Sequence, residues 1–174
     1  MGYFPLCIDL SEKCVLCVGT GMQIQEKIEK LRPFGAQIEV LKTLTKEQLD
    51  NYLPEIVIAG DMEKNEAEQI SLWCREQNIP VNVVDVPELC TFFFPSLITK
   101  GDLTISVSTG GRSPAAAAFV RKEIEQNLPD RTEEILLWLG ETRSFLRERG
   151  VLKAAVAKAF SLNRPLTKEE CELL

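Results

Sequence analysis

The chain has 174 residues, 45% apolar and 26% charged, with a formal net charge of −6 and no histidine. This length suits one compact domain, or one domain with a helical appendage, and the apolar fraction argues against disorder. The lack of histidine excludes Ser-His-Asp and Cys-His nucleophile systems and any imidazole ligation of zinc or haem iron; proton chemistry near neutrality then falls to a carboxylate, Lys, Cys or Tyr.

The first half alternates strand and helix signals. A short apolar run over 13–18 ends in Gly19, the mark of a buried parallel strand. A helix is predicted over 22–32, with Ile24, Ile28 and Leu31 on one face and Pro33 and Gly35 closing it. Gln37–Leu41 reads as a second strand, and Thr45 caps a short helix toward Tyr52. Ile56–Ala59 is a third strand ending at Gly60-Asp61; a helix over 64–77 turns Ala67, Ile70 and Cys74 inward; 81–84 is a fourth strand. The β-α-β-α-β-α-β order implies a Rossmann-like doubly wound parallel sheet in an α/β protein.

The pattern then changes. Strands are expected over 92–98 and Leu103–Val107, with Lys100-Gly101-Asp102 as a hairpin turn and Pro95 marking an edge strand or bulge. Ser113-Pro114 opens a helix through 126. Beyond Arg131 the signals are helical, over 133–145 and 151–160. Thr167-Lys168-Glu169-Glu170 is a capping box before a last short helix.

Six cysteines follow no signal peptide, and no apolar run is long enough to span a membrane, which points to a reduced, cytoplasmic protein. Cys14 and Cys17 stand three apart on a strand and face opposite ways, so they share no metal, and no metal site is expected. The net negative charge argues against nucleic-acid binding. It is uneven: 1–90 hold 8 basic and 15 acidic residues, whereas 91–168 hold 12 basic and 8 acidic ones. An anionic ligand is better placed against the second half.

Three constellations are suited to chemistry. Val18-Gly19-Thr20-Gly21 joins the first strand to the first helix, where bare backbone lets a pyrophosphate reach a helix N-terminus; a turn that merely needs positive φ is the alternative. Ile24 stands where the dinucleotide fingerprint has a small residue, and should push helix and strand apart or pack outward. The second strand ends Leu41-Lys42-Thr43, without the acid that holds ribose hydroxyls. Asp85, at the carboxyl end of the fourth strand, is placed for a general base, or for a cap ahead of Val86-Pro87. Ser108-Thr109-Gly110-Gly111-Arg112-Ser113-Pro114 combines hydroxyls, glycines, a guanidinium and a helix N-terminus into an anion nest, or forms a plain strand-to-helix turn.

Together, Tyr3-x-Pro5-x-x-x-x-Leu10, Val81-Asn82-Val83-Val84-Asp85 with Phe94-Pro95-Ser96, and Gly101-Asp102-Leu103 with Ser108 to Pro114 resemble the precorrin-2 dehydrogenase and sirohydrochlorin ferrochelatase family, the N-terminal domain of sirohaem synthase. The resemblance implies NAD-dependent oxidation of precorrin-2 to sirohydrochlorin by a homodimer, with ferrous iron as a further substrate in some members. It implies a Rossmann-like dinucleotide-binding domain over 1–111, its strands leading into a small α+β dimerisation region, and a helical dimerisation and C-terminal domain over 112–174. The family's essential carboxylate falls on Asp85, as general acid/base. Its cofactor contacts fall on Gly19, Thr20, Gly21, Met22, Gln23, Thr43, Leu44 and Asp61. Substrate contacts fall on Asn82, Ser108, Thr109, Gly110, Gly111, Arg112 and Ser113. The chain departs from the family at Ile24 (usually small), Glu26 (usually arginine) and Ala59-Gly60-Asp61 (usually Ala-Thr-Asp/Asn). Two other functions fit these departures: a tetrapyrrole-binding or regulatory homologue with a decayed NAD site, and a sirohydrochlorin ferrochelatase.

Overall fold

The computed structural model describes residues 4–174; Tyr3 lies outside them. The chain forms two compact units that divide at Phe94/Pro95.

The first unit, 6–94, is an open sheet of four parallel strands. β1 (Cys14–Val18), β2 (Gln37–Leu41), β3 (Ile56–Ala59) and β4 (Val81–Val83) stand in the order β2-β1-β3-β4. In register, Val15 lies opposite both Ile38 and Ile56, and Val57 opposite Val81. Alternation along the strands builds two cores. Leu16, Val18, Val57, Ala59, Val81 and Val83 face α2 (Lys46–Tyr52) and α3 (Lys64–Glu76) through Leu49, Ala67, Ile70 and Cys74. Val15, Cys17, Ile56 and Ile58 face α1 (Met22–Leu31) through Ile24, Ile28 and Leu31. Helices therefore cover both faces, as a parallel sheet requires. Thr45 and Gln48 form a reciprocal capping box at α2. All six cysteines are free thiols; burial pushes Cys17 up to about 11 and Cys74 up to about 12.

β4 ends one residue before the expected 84, and the expected strand over 92–98 begins only at Ser96. Pro95 has no amide to donate, and Phe92 and Phe94 pack against the α1-side core of the first unit.

In the second unit β5 (Ser96–Lys100) and β6 (Leu103–Val107) form an antiparallel hairpin, Ser96 opposite Val107. Gly101 turns it at φ 54°, where an added Cβ would lie 2.6 Å from Glu133 Cγ. α4 (Pro114–Asn127), α5 (Thr132–Glu148), α6 (Leu152–Leu162) and α7 (Lys168–Glu172) follow. The division at Phe94/Pro95 puts the hairpin in one unit with these helices, earlier than the expected 111/112, because the hairpin packs against α4 and α5. Ile135, Leu146, Ala155, Ala159, Leu166 and Cys171 join α5, α6 and α7 in one core. Among the described residues no helix is long and apolar enough to cross a membrane.

The Arg164 guanidinium grips both oxygens of Glu170, at 2.8 and 2.7 Å, and Glu170 also closes the α7 capping box. These bonds draw the Glu170 carboxyl from 4.5 down to about 2. A depressed carboxyl stabilises the fold above its ordinary pKa, and that contribution is lost as pH falls through the folded value. Amide protection across 164–172, measured against the intrinsic exchange rate at each pH, should therefore fall as pH drops from about 4.5 toward 2. In Glu170→Gln the segment should be looser at neutral pH and its protection flat over that window.

Candidate functional site

The turn after β1 is shaped by bare backbone. Gly19 has φ 116°, and an added Cβ would lie 2.1 Å from the Gly60 carbonyl oxygen. The Gly19 amide donates to Leu41 O at 2.8 Å, and the Gly60 amide donates to Val18 O at 3.0 Å. The turns after β1 and β3 thus touch at the point where the strand order reverses, the crevice where doubly wound folds bind ligands. Gly21 is the N-cap of α1, with no side-chain cap and no acid in the first turn. The first amides of α1, from Met22 onward, are therefore open to an anion.

Ile24 neither pushes the helix away nor packs outward. Its side chain is fully buried beneath the turn. Cβ positions built on Gly19 and Gly60 each lie 3.3 Å from an Ile24 side-chain carbon. The isoleucine and the glycine at 60 are therefore one exchange of volume: the core fills from the helix side and empties from the strand side. Ile24 is therefore not what meets a ligand at the N-terminus of α1.

One charge does approach that N-terminus. Asp61 follows β3 at φ 58°, and its carboxylate carbon lies 2.2 Å from the Cβ position of Gly21. Backbone geometry thus fits a dinucleotide, with one acidic group against the cradle. Thr43 is exposed just beyond β2, whereas the Leu44 side chain is buried in the core, leaving only its backbone for a ligand.

Asp85 occupies the tip of a tight turn after β4, closed by Val86 N donating to Val83 O at 3.2 Å. It is exposed and left-handed, with φ 62°. The short 3-10 turn Pro87–Leu89 has no side-chain cap, so capping does not engage Asp85. Its Oδ2 instead accepts 2.6 Å from Gln23 Nε2, which ties the turn after β1 to the end of β4. The loop beyond is pinned. Thr91 pairs with Val81 at 2.8 Å, Ser71 Oγ donates to Leu89 O at 2.8 Å, and Arg75 reaches Glu88 O and Cys90 O. Asn82 is buried and donates to Phe92 O at 3.0 Å and Cys90 Sγ at 3.5 Å, so it holds the loop rather than facing a ligand. Asp61, Lys64, Asp85 and Glu88 line a cleft of about 300 Å³ at the ends of β3 and β4.

The second unit carries the nest. Thr109 Oγ1 accepts from Ser113 N at 3.1 Å and donates to Ser113 O at 3.0 Å. Ser108 Oγ accepts from Gly110 N, and Ser113 Oγ caps α4 at Ala116 N. Gly110 and Gly111 are left-handed, at φ 62° and 80°, and Arg112 is exposed. The hydroxyls shape the loop, leaving Arg112 as its cation.

Two residues escaped sequence reasoning. Gly60 appeared only as a departure, yet it seats Gly19 and Ile24. Lys27 was not considered, although it stands four residues beyond Gln23 and so shares its helix face. It is half-buried, its ammonium 4.7 Å from the Phe94 ring centre, and burial lowers its pKa. Among the described residues no group of three or more His, Cys, Asp or Glu side chains is placed to hold a metal ion.

Strand order, bare turn and open helix N-terminus define a Rossmann-like dinucleotide-binding fold. Family models agree: residues 42–96 match a putative NAD(P)-binding family, and residues 100–127 match the central segment of sirohaem biosynthesis proteins. Siroheme synthase of Methylobacillus flagellatus is 32% identical over 170 residues, 86% of this chain and 36% of that protein. Siroheme synthase of Thioalkalivibrio sulfidiphilus is 34% identical over 148 residues, 74% of this chain and 30% of that protein. The chain spans about a third of the length of such relatives. A solved structure titled "SirC, precorrin-2 dehydrogenase" superposes with TM-score 0.67 over 98% of this chain and 96% of that one, at 16% identity, and shares the fold. The chain belongs to the sirohaem-biosynthesis family that these siroheme synthases represent.

Exchange of volume between residues 24 and 60 has a direct test. Gly60→Thr places its Cβ 3.1 Å from Val84 and 3.3 Å from Ile24. It should cost about 1–3 kcal/mol by overpacking. Adding Ile24→Ala should recover part of that loss, so that the double variant is more stable than the two single costs predict. Denaturant unfolding of the four proteins measures the coupling; strict additivity would contradict it.

Proposed function

We propose that the chain oxidises precorrin-2 to sirohydrochlorin in sirohaem biosynthesis, with NAD as hydride acceptor and Asp85 as general acid/base. The observation that carries this reading is the hydrogen bond from Gln23 to Asp85, 2.6 Å long, which sets the carboxylate beside the open N-terminus of α1. Family membership and the NAD(P)-binding segment support a nicotinamide cofactor.

In this reading Gly19, Thr20, Gly21 and Met22 receive the pyrophosphate by backbone, with Thr43 and the Leu44 backbone beside the nucleotide. A bound nicotinamide supplies the hydride acceptor. Oxidation of the substrate releases one proton with each hydride, and Asp85 takes that proton. Its exposed position at a strand end lets it pass the proton on to solvent. Arg112 and the N-terminus of α4 receive substrate carboxylates, which suits the basic second half of the chain. Phe119 and Val120 on α4 are 65% and 43% exposed. We assign them to a homodimer contact built on the hairpin and α4, in a protein of the cytoplasm.

Glu26 favours a second reading. It is exposed on α1, where arginine is usual in the family, and adds negative charge to the helix whose N-terminus would receive a pyrophosphate. A tetrapyrrole-binding protein with a weakened nucleotide site would show that change.

Anaerobic turnover of precorrin-2 with NAD separates the two. The first reading predicts sirohydrochlorin formation and a loss of about 10²–10⁴-fold in kcat for Asp85→Ala, with NAD affinity unchanged. Full activity in Asp85→Ala removes Asp85 from the reaction, and no turnover in the parent protein favours the second reading.

A further inference from the structure

Asp85 is held less firmly by its own backbone than a general acid/base needs to be. It sits at a turn tip with φ 62°, and its side chain is exposed. No cap bond to the following turn restrains it. Asp61 and Glu88, both acidic, line the same cleft. A free carboxylate in such a place rotates among its rotamers and spends little time in a reactive pose.

We propose that Gln23 is the positioning residue of Asp85, holding Oδ2 by its side-chain amide and leaving Oδ1 to face the substrate. This rests on the reading of Asp85 as general acid/base. Gln23 was expected among the cofactor contacts, and the structure uses its side chain otherwise. Its donor is engaged 2.6 Å from Oδ2, across 62 residues of sequence. Gln23 lies in the first turn of α1, a helix fixed to the sheet by Ile24, Ile28 and Leu31. The carboxylate is thereby referred to a rigid element rather than to its loop. Lys27, one turn further along α1, adds a cation held over the Phe94 ring. Phe94 is steadied in turn by Phe92, with ring centres 5.5 Å apart. Lys27 and Asp85 attract each other electrostatically.

The test uses the full chain with Gln23→Met, which keeps length and helix propensity but removes the donor. A hydrogen bond to a charged group that is lost from the reactive state lowers kcat by about tenfold or more. The proposal predicts that loss with unchanged KM for precorrin-2 and unchanged Kd for NAD by calorimetry. A weaker Kd with unchanged kcat would make Gln23 a cofactor contact and overturn the proposal. Unchanged kcat in Gln23→Met beside an inactive Asp85→Ala would overturn it while leaving the reading of Asp85 intact. A readout independent of activity is the Gln23 side-chain amide resonance in a ¹⁵N correlation spectrum. It should be slow to exchange in the parent protein and should shift and exchange faster in Asp85→Ala. An amide resonance indifferent to Asp85→Ala would overturn the proposal, whether or not the chain turns over precorrin-2.

Discussion

The structure depends on one close approach of backbone to backbone, Gly19 against Gly60. Any side chain at 19 would collide with the carbonyl of residue 60. That contact lets the turns after β1 and β3 meet at the centre of the sheet, beside an N-terminus of α1 that has no side-chain cap and has the Asp61 carboxylate against Gly21. From there α1 reaches across to the end of β4 through a single hydrogen bond, Gln23 to Asp85. The turn after β1 and the acid/base candidate are therefore joined in one assembly, not two independent motifs.

The same contact explains how the chain departs from its family without losing the fold. A branched residue at 24 looks incompatible with a dinucleotide turn when read in a linear motif. In three dimensions it occupies volume that glycine vacates at 60. Changes at two motif positions that seem to damage the site fall side by side in the core beneath it, a Cβ position on Gly60 lying 3.3 Å from Ile24. Asp61 is no such departure: an acid or amide is usual there, and its carboxylate lies against Gly21 rather than in the core beneath.

Parallel strands and their helices were legible because their signals are local. Gln37–Leu41, Lys46–Tyr52, Ile56–Ala59 and Leu103–Val107 follow directly from apolar runs, caps and turn residues. Strand 92–98 was misread because Phe92 and Phe94 have strand propensity but are used as core anchors. The expected site residues separate in a similar way. Asp85 and Gly19 stand just beyond the ends of β4 and β1, where the local pattern puts them. Asn82 and Leu44 were not readable as internal, because their partners, Phe92 O and the sheet core, are distant in sequence. The partnership of Gln23 with Asp85 spans 62 residues, and no local pattern encodes it.

The lack of histidine leaves proton chemistry to a carboxylate, Lys, Cys or Tyr, and Gln23 on α1 holds one such carboxylate, Asp85, by a hydrogen bond. The central claim is that the bare turn is a working dinucleotide cradle in spite of Asp61. The most direct measurement is an NAD titration of the ¹⁵N-labelled chain followed at the backbone amides. The account predicts saturable shifts that are largest at Gly21, Met22 and Gln23. Saturation without movement of those amides, or no saturation at all, would contradict it.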